Sequence, residues 1–227
     1  MPDSVRLRGG SGGRCVKVRA MASLQQLLEL HAPLLVLDAV SSRVQVGWLT
    51  RADARWSAVE EEAGVGIFRC LEELGRSPAD AGAFVFCEGP GSVLGVRTTA
   101  MAIRAWQVQA ARPAFAFKSL DLVSRALNRP DLSVIADARR EQWHVSRLSG
   151  VLQRLPASAL AGDLAMPEGF RAWSALPANV QRVPYSLAQL FPQIQGLDLF
   201  EARDAPDAFL HEEPSYATWN PQIHRAP

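Results

Sequence analysis

The sequence predicts an α/β fold built from two related lobes, the second shorter than the first. Three observations point that way. Apolar strand patterns and amphipathic helix patterns alternate in the order βββαβαβα before residue 130. A strand, an Asp-Ala step, a polar turn and a second strand occur twice, with Leu49 following Asp38 at the same spacing as Leu148 follows Asp137. The chain of 227 residues is 48% apolar and 21% charged, long enough to bury a real core and too apolar to be disordered. The expected organisation is a disordered tail over 1–20, a first lobe over 21–130 and a degenerate second lobe over 131–227.

Residues 1–20 are rich in Arg, Gly and Ser, and the cluster Gly9-Gly10-Ser11-Gly12-Gly13 cannot bury enough surface to fold alone. The same glycines would spoil the amphipathic helix of a transit peptide, and Met21, where patterning begins, is an alternative start. Leu34-Leu35-Val36-Leu37 reads as a buried strand, Asp38 to Ser42 as a turn and Val44 to Leu49 as an alternating strand. A short third strand is expected near Ala54 to Ser57. Val59, Ala63, Ile67, Cys70, Leu71 and Leu74 then recur at helical spacing opposite Glu60, Glu61, Arg69, Glu72 and Glu73, a pattern weakened by Gly64 and Gly66. Ala83 to Cys87 is a buried strand, and a turn over Glu88 to Ser92 leads into a helix from about Val93 to Ala110. A strand at Ala114 to Phe117 and a helix at Leu120 to Leu127 close the first unit at Asn128-Arg129-Pro130. Leu132 to Ala136 opens the second unit, which breaks beyond Gly150 into segments punctuated by proline.

Composition removes several classes of function. Cysteines 15, 70 and 87 are too few and too scattered for a disulfide scaffold and fit a reducing compartment, so the cytoplasm is expected. Histidines 31, 144, 211 and 224 form no metal-ligand spacing, so no metal is expected. No apolar run approaches the length of a membrane span. The net charge of +1 carries no footprint of nucleic acid held by counterion release alone, so if the chain serves RNA, something else is expected to grip it. Arg6, Arg8, Arg14, Lys17 and Arg19 against Asp3 place the excess positive charge in the tail and leave the body mildly acidic.

Two places could carry chemistry. The loop Gly89-Pro90-Gly91-Ser92-Val93-Leu94-Gly95 joins a buried strand to a helix, where backbone N–H groups and the helix dipole can receive an anion. It matches neither a Walker loop nor G-x-G-x-x-G, and a tight turn with Ser92 as helix cap is the plainer reading. Asp38 and Asp137, each at a strand end, suit either a metal–phosphate complex or simple turn capping, and Arg139 and Arg140 either a solvated turn or an anion contact. The helix after the glycine loop has two apolar stripes. Val93, Val96, Ala100 and Ile103 form one; Leu94, Met101, Ala105 and Val108, with Trp106 beside them, form the other. Its own sheet covers one stripe. The second is covered by the preceding helix, the simpler expectation, or by another subunit.

The opening strand–Asp–strand over Leu34 to Leu49, Gly89-Pro-Gly-Ser-x-x-Gly-Val-Arg97, Asp137-Ala-Arg-Arg140 and Pro214-Ser-Tyr216 together resemble the TsaB family, the dimerisation subunit of the bacterial machinery that makes threonylcarbamoyladenosine in tRNA. The resemblance implies an ASKHA fold, the actin/Hsp70/sugar-kinase architecture of two ribonuclease-H-like lobes. It also implies a scaffold rather than a catalyst. The helices on either side of the Gly-Pro-Gly-Ser strand and loop would pack against the same pair in the catalytic paralogue TsaD, with the ATPase TsaE joining them. A homodimer is a further arrangement, and tRNA is met only indirectly. The partner face would comprise Val59, Ala63, Ile67, Leu71, Leu94, Arg97, Met101, Ala105 and Val108. Any phosphate contact would fall to Asp38, Gly89, Gly91, Ser92, Gly95 and Asp137. No cofactor is implied beyond a nucleotide at a subunit interface. The chain departs from the family pattern at Ala39, Val93 and Leu94, where hydroxyl and aromatic residues are usual. The enzyme alternative is an ATP-dependent small-molecule kinase of the same fold. It needs a glycine-rich adenosine segment in the second lobe, where Gly150, Gly162, Gly169 and Gly196 stand singly. A metalloprotease would lack ligands.

Overall fold

A computed structural model describes residues 21–148 and 150–209. The expected tail over 1–20 and the Pro214-Ser-Tyr216 motif lie outside the described residues.

The chain runs β1 (Met21–Ser23), α1 (Leu24–His31), β2 (Leu34–Asp38), β3 (Val44–Leu49), β4 (Ala54–Val59), α2 (Ala63–Leu74), β5 (Ala83–Gly89), α3 (Val93–Gln109), β6 (Ala114–Lys118) and α4 (Ser119–Leu127). It continues with β7 (Leu132–Asp137), β8 (Gln142–Ser146), β9 (Gln153–Pro156), β10 (Asp163–Pro167), β11 (Val180–Val183), α5 (Leu187–Leu190) and β12 (Asp198–Ala202).

The first sheet has the order β1-β12-β6-β5-β2-β3-β4 and the second β11-β10-β7-β8-β9. In each, the unit's first strand lies between an antiparallel meander and two parallel strands: β2 beside β3–β4 and β5–β6, and β7 beside β8–β9 and β10–β11. The internal repeat is therefore a repeat of sheet topology, and the fold is the expected pair of ribonuclease-H-like sheets. The second copy is shorter because a 3-10 turn at Ala157–Ala159 and an irregular loop stand where the first has α2 and α3.

Period-2 alternation divides the core. Leu35, Leu37, Phe84 and Phe86 face Ile67, Cys70 and Leu71 of α2 and Ile103 of α3. Leu34, Val36, Val85 and Phe117 face the other way, into one core with α4 and with Val134 and Trp143 of the second sheet. The 21–33 segment, given no element from sequence, holds β1 and α1, and Ser23 and Gln26 form a capping box over α1. Val59 ends β4 rather than starting a helix, because it pairs with Val44 across the β3–β4 ladder. Gly66, expected to weaken α2, lets the helix approach β3: a Cβ there would lie 2.8 Å from a Val44 methyl. Finally, β12 does not stay with the 131–227 unit. It crosses back to pair with β6, and Phe200 stacks against Phe117 and Phe191.

Candidate functional site

The ends of β2 and β5 meet where the sequence placed a phosphate contact. Asp38 is fully buried, its Oδ2 accepting the Tyr185 hydroxyl at 2.6 Å and its Oδ1 the Val40 N–H at 3.2 Å. Burial raises its pKa from 3.8 to about 6, against the lowering effect of the Tyr185 and Val40 hydrogen bonds. Burial likewise pushes up the thiol of the neighbouring Cys87 and the phenol of Tyr185. Gln45, opposite Asp38 on β3, donates to the Tyr185 carbonyl at 3.3 Å and accepts from the Leu187 N–H at 2.9 Å. Tyr185 packs edge-on against Phe170 at 5.0 Å. A phenol from the second unit thus fills the space beside the Asp38 carboxylate.

The glycine loop is tied to the turn after β2. Its Ser92 N–H donates to the Val40 carbonyl at 2.8 Å, and the Gly95 N–H donates to Ser92 Oγ at 3.2 Å, the predicted cap. The Ser119 hydroxyl donates to the Pro90 carbonyl at 2.6 Å. Gly91, at φ +150°, lies so close to the turn after β2 that a Cβ would sit 2.6 Å from Val40. At Gly95 a Cβ would drive into the Ala39 carbonyl oxygen. A third close approach joins the units, where Ser42 N–H donates to the Gly169 carbonyl at 2.9 Å. Close packing of two turns is what these glycines serve, and the N–H groups of residues 92 and 95 are already used. Beside the loop, Glu88 holds Arg203 through a bidentate pair at 2.8 and 2.9 Å.

Asp137 does not join this cluster. It accepts the Arg139 N–H on one oxygen and the Trp173 and Ser174 N–H groups, each at 2.6 Å, on the other. Partial burial raises its pKa, but these three donors outweigh that and hold it below the usual carboxylate range.

The helix pair divides differently from the sequence expectation. Ile67 and Leu71 are buried against the chain's own sheet, so they are core residues and face no partner. The exposed side of α2 carries Val65 and Phe68 instead, 60% and 53% exposed. Their spacing of three was visible in the sequence but fell on the side assigned to charge. Ala63 is half-buried. On α3, Val96, Thr99, Ala100 and Ile103 are buried, whereas Leu94, Met101 and Val108 are 78%, 61% and 88% exposed, with Arg97 and Ala105 beside them. Val93 belongs to the exposed side. The simpler expectation, that α2 covers the second stripe of α3, therefore fails. The helices lie side by side on one sheet face, joined by Trp106 against Phe68 at 6.4 Å, and neither covers the other's outer surface. A shallow depression of about 490 Å³ lies along α2 between Val65, Phe68, Arg69, Glu72 and Glu73.

Comparison with known proteins decides the family. The family model for TsaD, tRNA N6-adenosine threonylcarbamoyltransferase, matches residues 59–172, half of the chain. The chain belongs to the TsaD family. The matched segment runs from the end of β4 through α2, the glycine loop, α3 and the Asp137 turn to the loop after β10, so it contains the helix pair and the glycine loop and leaves Asp38, Tyr185 and Arg203 outside. No curated protein matches. Among solved structures, YeaZ from Pseudomonas aeruginosa is 20% identical, covering 59% of this chain and 74% of that one, with a TM-score of 0.51; it shares the fold. A second Pseudomonas aeruginosa structure, of an uncharacterized protein with similarity to peptidase YEAZ, is 21% identical over the same shares, with a TM-score of 0.49. Among the described residues no three His, Cys, Asp or Glu side chains group as metal ligands, and no helix is long and apolar enough to cross a membrane.

Proposed function

We propose that this chain is a TsaB-type, non-catalytic subunit of the tRNA threonylcarbamoyladenosine machinery, docking through the outer surface of α2 and α3 onto a TsaD-type catalytic paralogue in the cytoplasm, with a TsaE-type ATPase as further partner. The observation that carries this reading is the unpartnered apolar surface of the two helices, with Phe68, Leu94, Met101 and Val108 in water. Side chains of this size are costly to leave exposed together and are characteristic of contact surfaces. The filled space beside Asp38 supports it. The Asp38 carboxylate is held by Tyr185, and the Ser92 and Gly95 N–H groups donate within the chain, so none of these three groups is left for the phosphate that the kinase alternative needs. Arg97 and Arg104, exposed on α3, would form a rim that suits a partner with acidic residues at the edge of its own helices.

The test is nucleoside mass spectrometry of bulk tRNA from cells depleted of this protein and from cells in which it is restored. Loss of threonylcarbamoyladenosine, reversed on restoration, is expected. Unchanged modification would overturn the reading.

A further inference from the structure

A second exposed feature lies on the other unit. The β7–β8 hairpin turns through Arg139, Arg140 and Glu141, which all adopt left-handed backbone, at φ 63°, 53° and 59°. Side chains other than glycine or asparagine rarely adopt this conformation, and three such residues in succession persist only where surrounding contacts fix them. Asp137 supplies those contacts. One of its oxygens holds the Arg139 N–H, and the other reaches across to the loop after β10 and holds the Trp173 and Ser174 N–H groups. The result is a guanidinium seated over an indole, with Arg139 5.4 Å from the Trp173 ring centre and Trp173 itself 66% exposed. Arg140 and Arg171, both exposed, adjoin the pair in sequence, and among the described residues neither is paired with a carboxylate. Glu141 and Glu168 are the nearby opposing charges in sequence, since Asp137 is engaged by backbone donors.

From this arrangement we propose that the Asp137-organised turn is a binding site for single-stranded RNA, with Trp173 stacking on an unpaired base and Arg139, Arg140 and Arg171 contacting the adjoining phosphates. An exposed aromatic ring beside guanidinium groups is the combination that grips unpaired nucleotides without a large net charge, because stacking supplies part of the affinity. An overall charge near zero excludes grip by counterion release alone, and this site does not depend on it. The site uses residues of the second unit only and none of those on the docking surface, so either can fail without the other.

The full chain at low salt, titrated into a short, unstructured, fluorescein-labelled RNA and followed by anisotropy, tests it. Trp173→Ala is expected to weaken binding roughly 5- to 100-fold, with Trp173→Phe largely restoring it. The Arg139→Ala/Arg140→Ala double variant is expected to lower the salt-dependence slope by about 1.4, at roughly 0.7 per phosphate. Thermal melting checks each fold, which exposed positions should leave intact. Absence of RNA binding by the unaltered chain overturns the proposal. So does retention of full affinity for both RNA and heparin by Trp173→Ala, which would mark the patch as a charged surface for acidic partners.

Discussion

Replacing Asp38 by Asn tests the physical account of the closed cluster at the end of β2. The carboxyl is fully buried, and its pKa in the fold is about 6 against 3.8. A shift of about two pH units, at roughly 1.36 kcal/mol each, corresponds to about 3 kcal/mol. The sign follows from the direction. A group whose pKa is raised on folding favours the fold when protonated, so this contribution is fully present below pH 3.8 and is lost as pH rises through about 6. At neutral pH the fold therefore carries an ionised, desolvated carboxylate. Asparagine keeps an acceptor for the Val40 N–H, turns an amide donor toward the Tyr185 oxygen and cannot ionise. Urea unfolding followed by circular dichroism from pH 4 to pH 7.5 gives the comparison. The stability of Asp38→Asn minus that of the unaltered protein should rise by about 2.5 kcal/mol across that range, because part of the change already lies below pH 4 and the other carboxylates titrate alike in both. A difference that stays constant with pH would refute desolvation as the dominant influence on Asp38.

Other substitutions probe neighbouring parts of the structure. Tyr185→Phe removes the donor to Asp38 Oδ2 and should cost about 1–3 kcal/mol in the same unfolding assay, while moving the Asp38 transition to higher pH. Gly95→Ala should destabilise by at least about 1–3 kcal/mol in thermal melting, since the added methyl drives into the Ala39 carbonyl and must displace α3 from the β2 turn. Arg203→Ala leaves the Glu88 carboxylate buried without its bidentate partner and should cost roughly 3–5 kcal/mol, measured by denaturant unfolding near neutral pH. Leu94→Glu or Met101→Glu should leave the fold intact, since both positions are exposed. If this surface docks a partner, association measured by light scattering should weaken by more than a hundredfold, from about 3–5 kcal/mol for an unpaired buried charge. Undiminished complex formation by a folded variant would exclude the surface.

Local pattern made much of the fold legible. The continuous run Leu34 to Leu37 marked a strand buried on both faces. The Ser92 cap and its flanking glycines marked the strand-to-helix turn, and the recurrence around Asp38 and Asp137 marked two units of one topology. These features were readable because strand and helix periods report which side of an element is dry. What covers each dry side does not follow from the period. Ile67 and Phe68 are neighbours in sequence and both apolar, yet only the placement of α2 on β3 buries the first and exposes the second. The capping box over α1 was present in the sequence as Ser23 and Gln26, but an eight-residue helix with weak patterning gave little else to support it.

The sequence by itself determined the α/β class, the order of the eight elements from β2 to α4, the turn chemistry of the glycine loop and the presence of a helix apolar on two sides. Tertiary structure alone decided that Tyr185 would complete Asp38, that Trp173 would be held by Asp137, that β12 would return to the first sheet and that the outer stripe of α3 would remain in water. The division has a physical cause. Capping, periodicity and turn propensity act over a few residues and leave their signature in the local sequence. The pairing of Asp38 with Tyr185, 147 residues away, comes from the packing of two whole sheets, which no local spacing encodes.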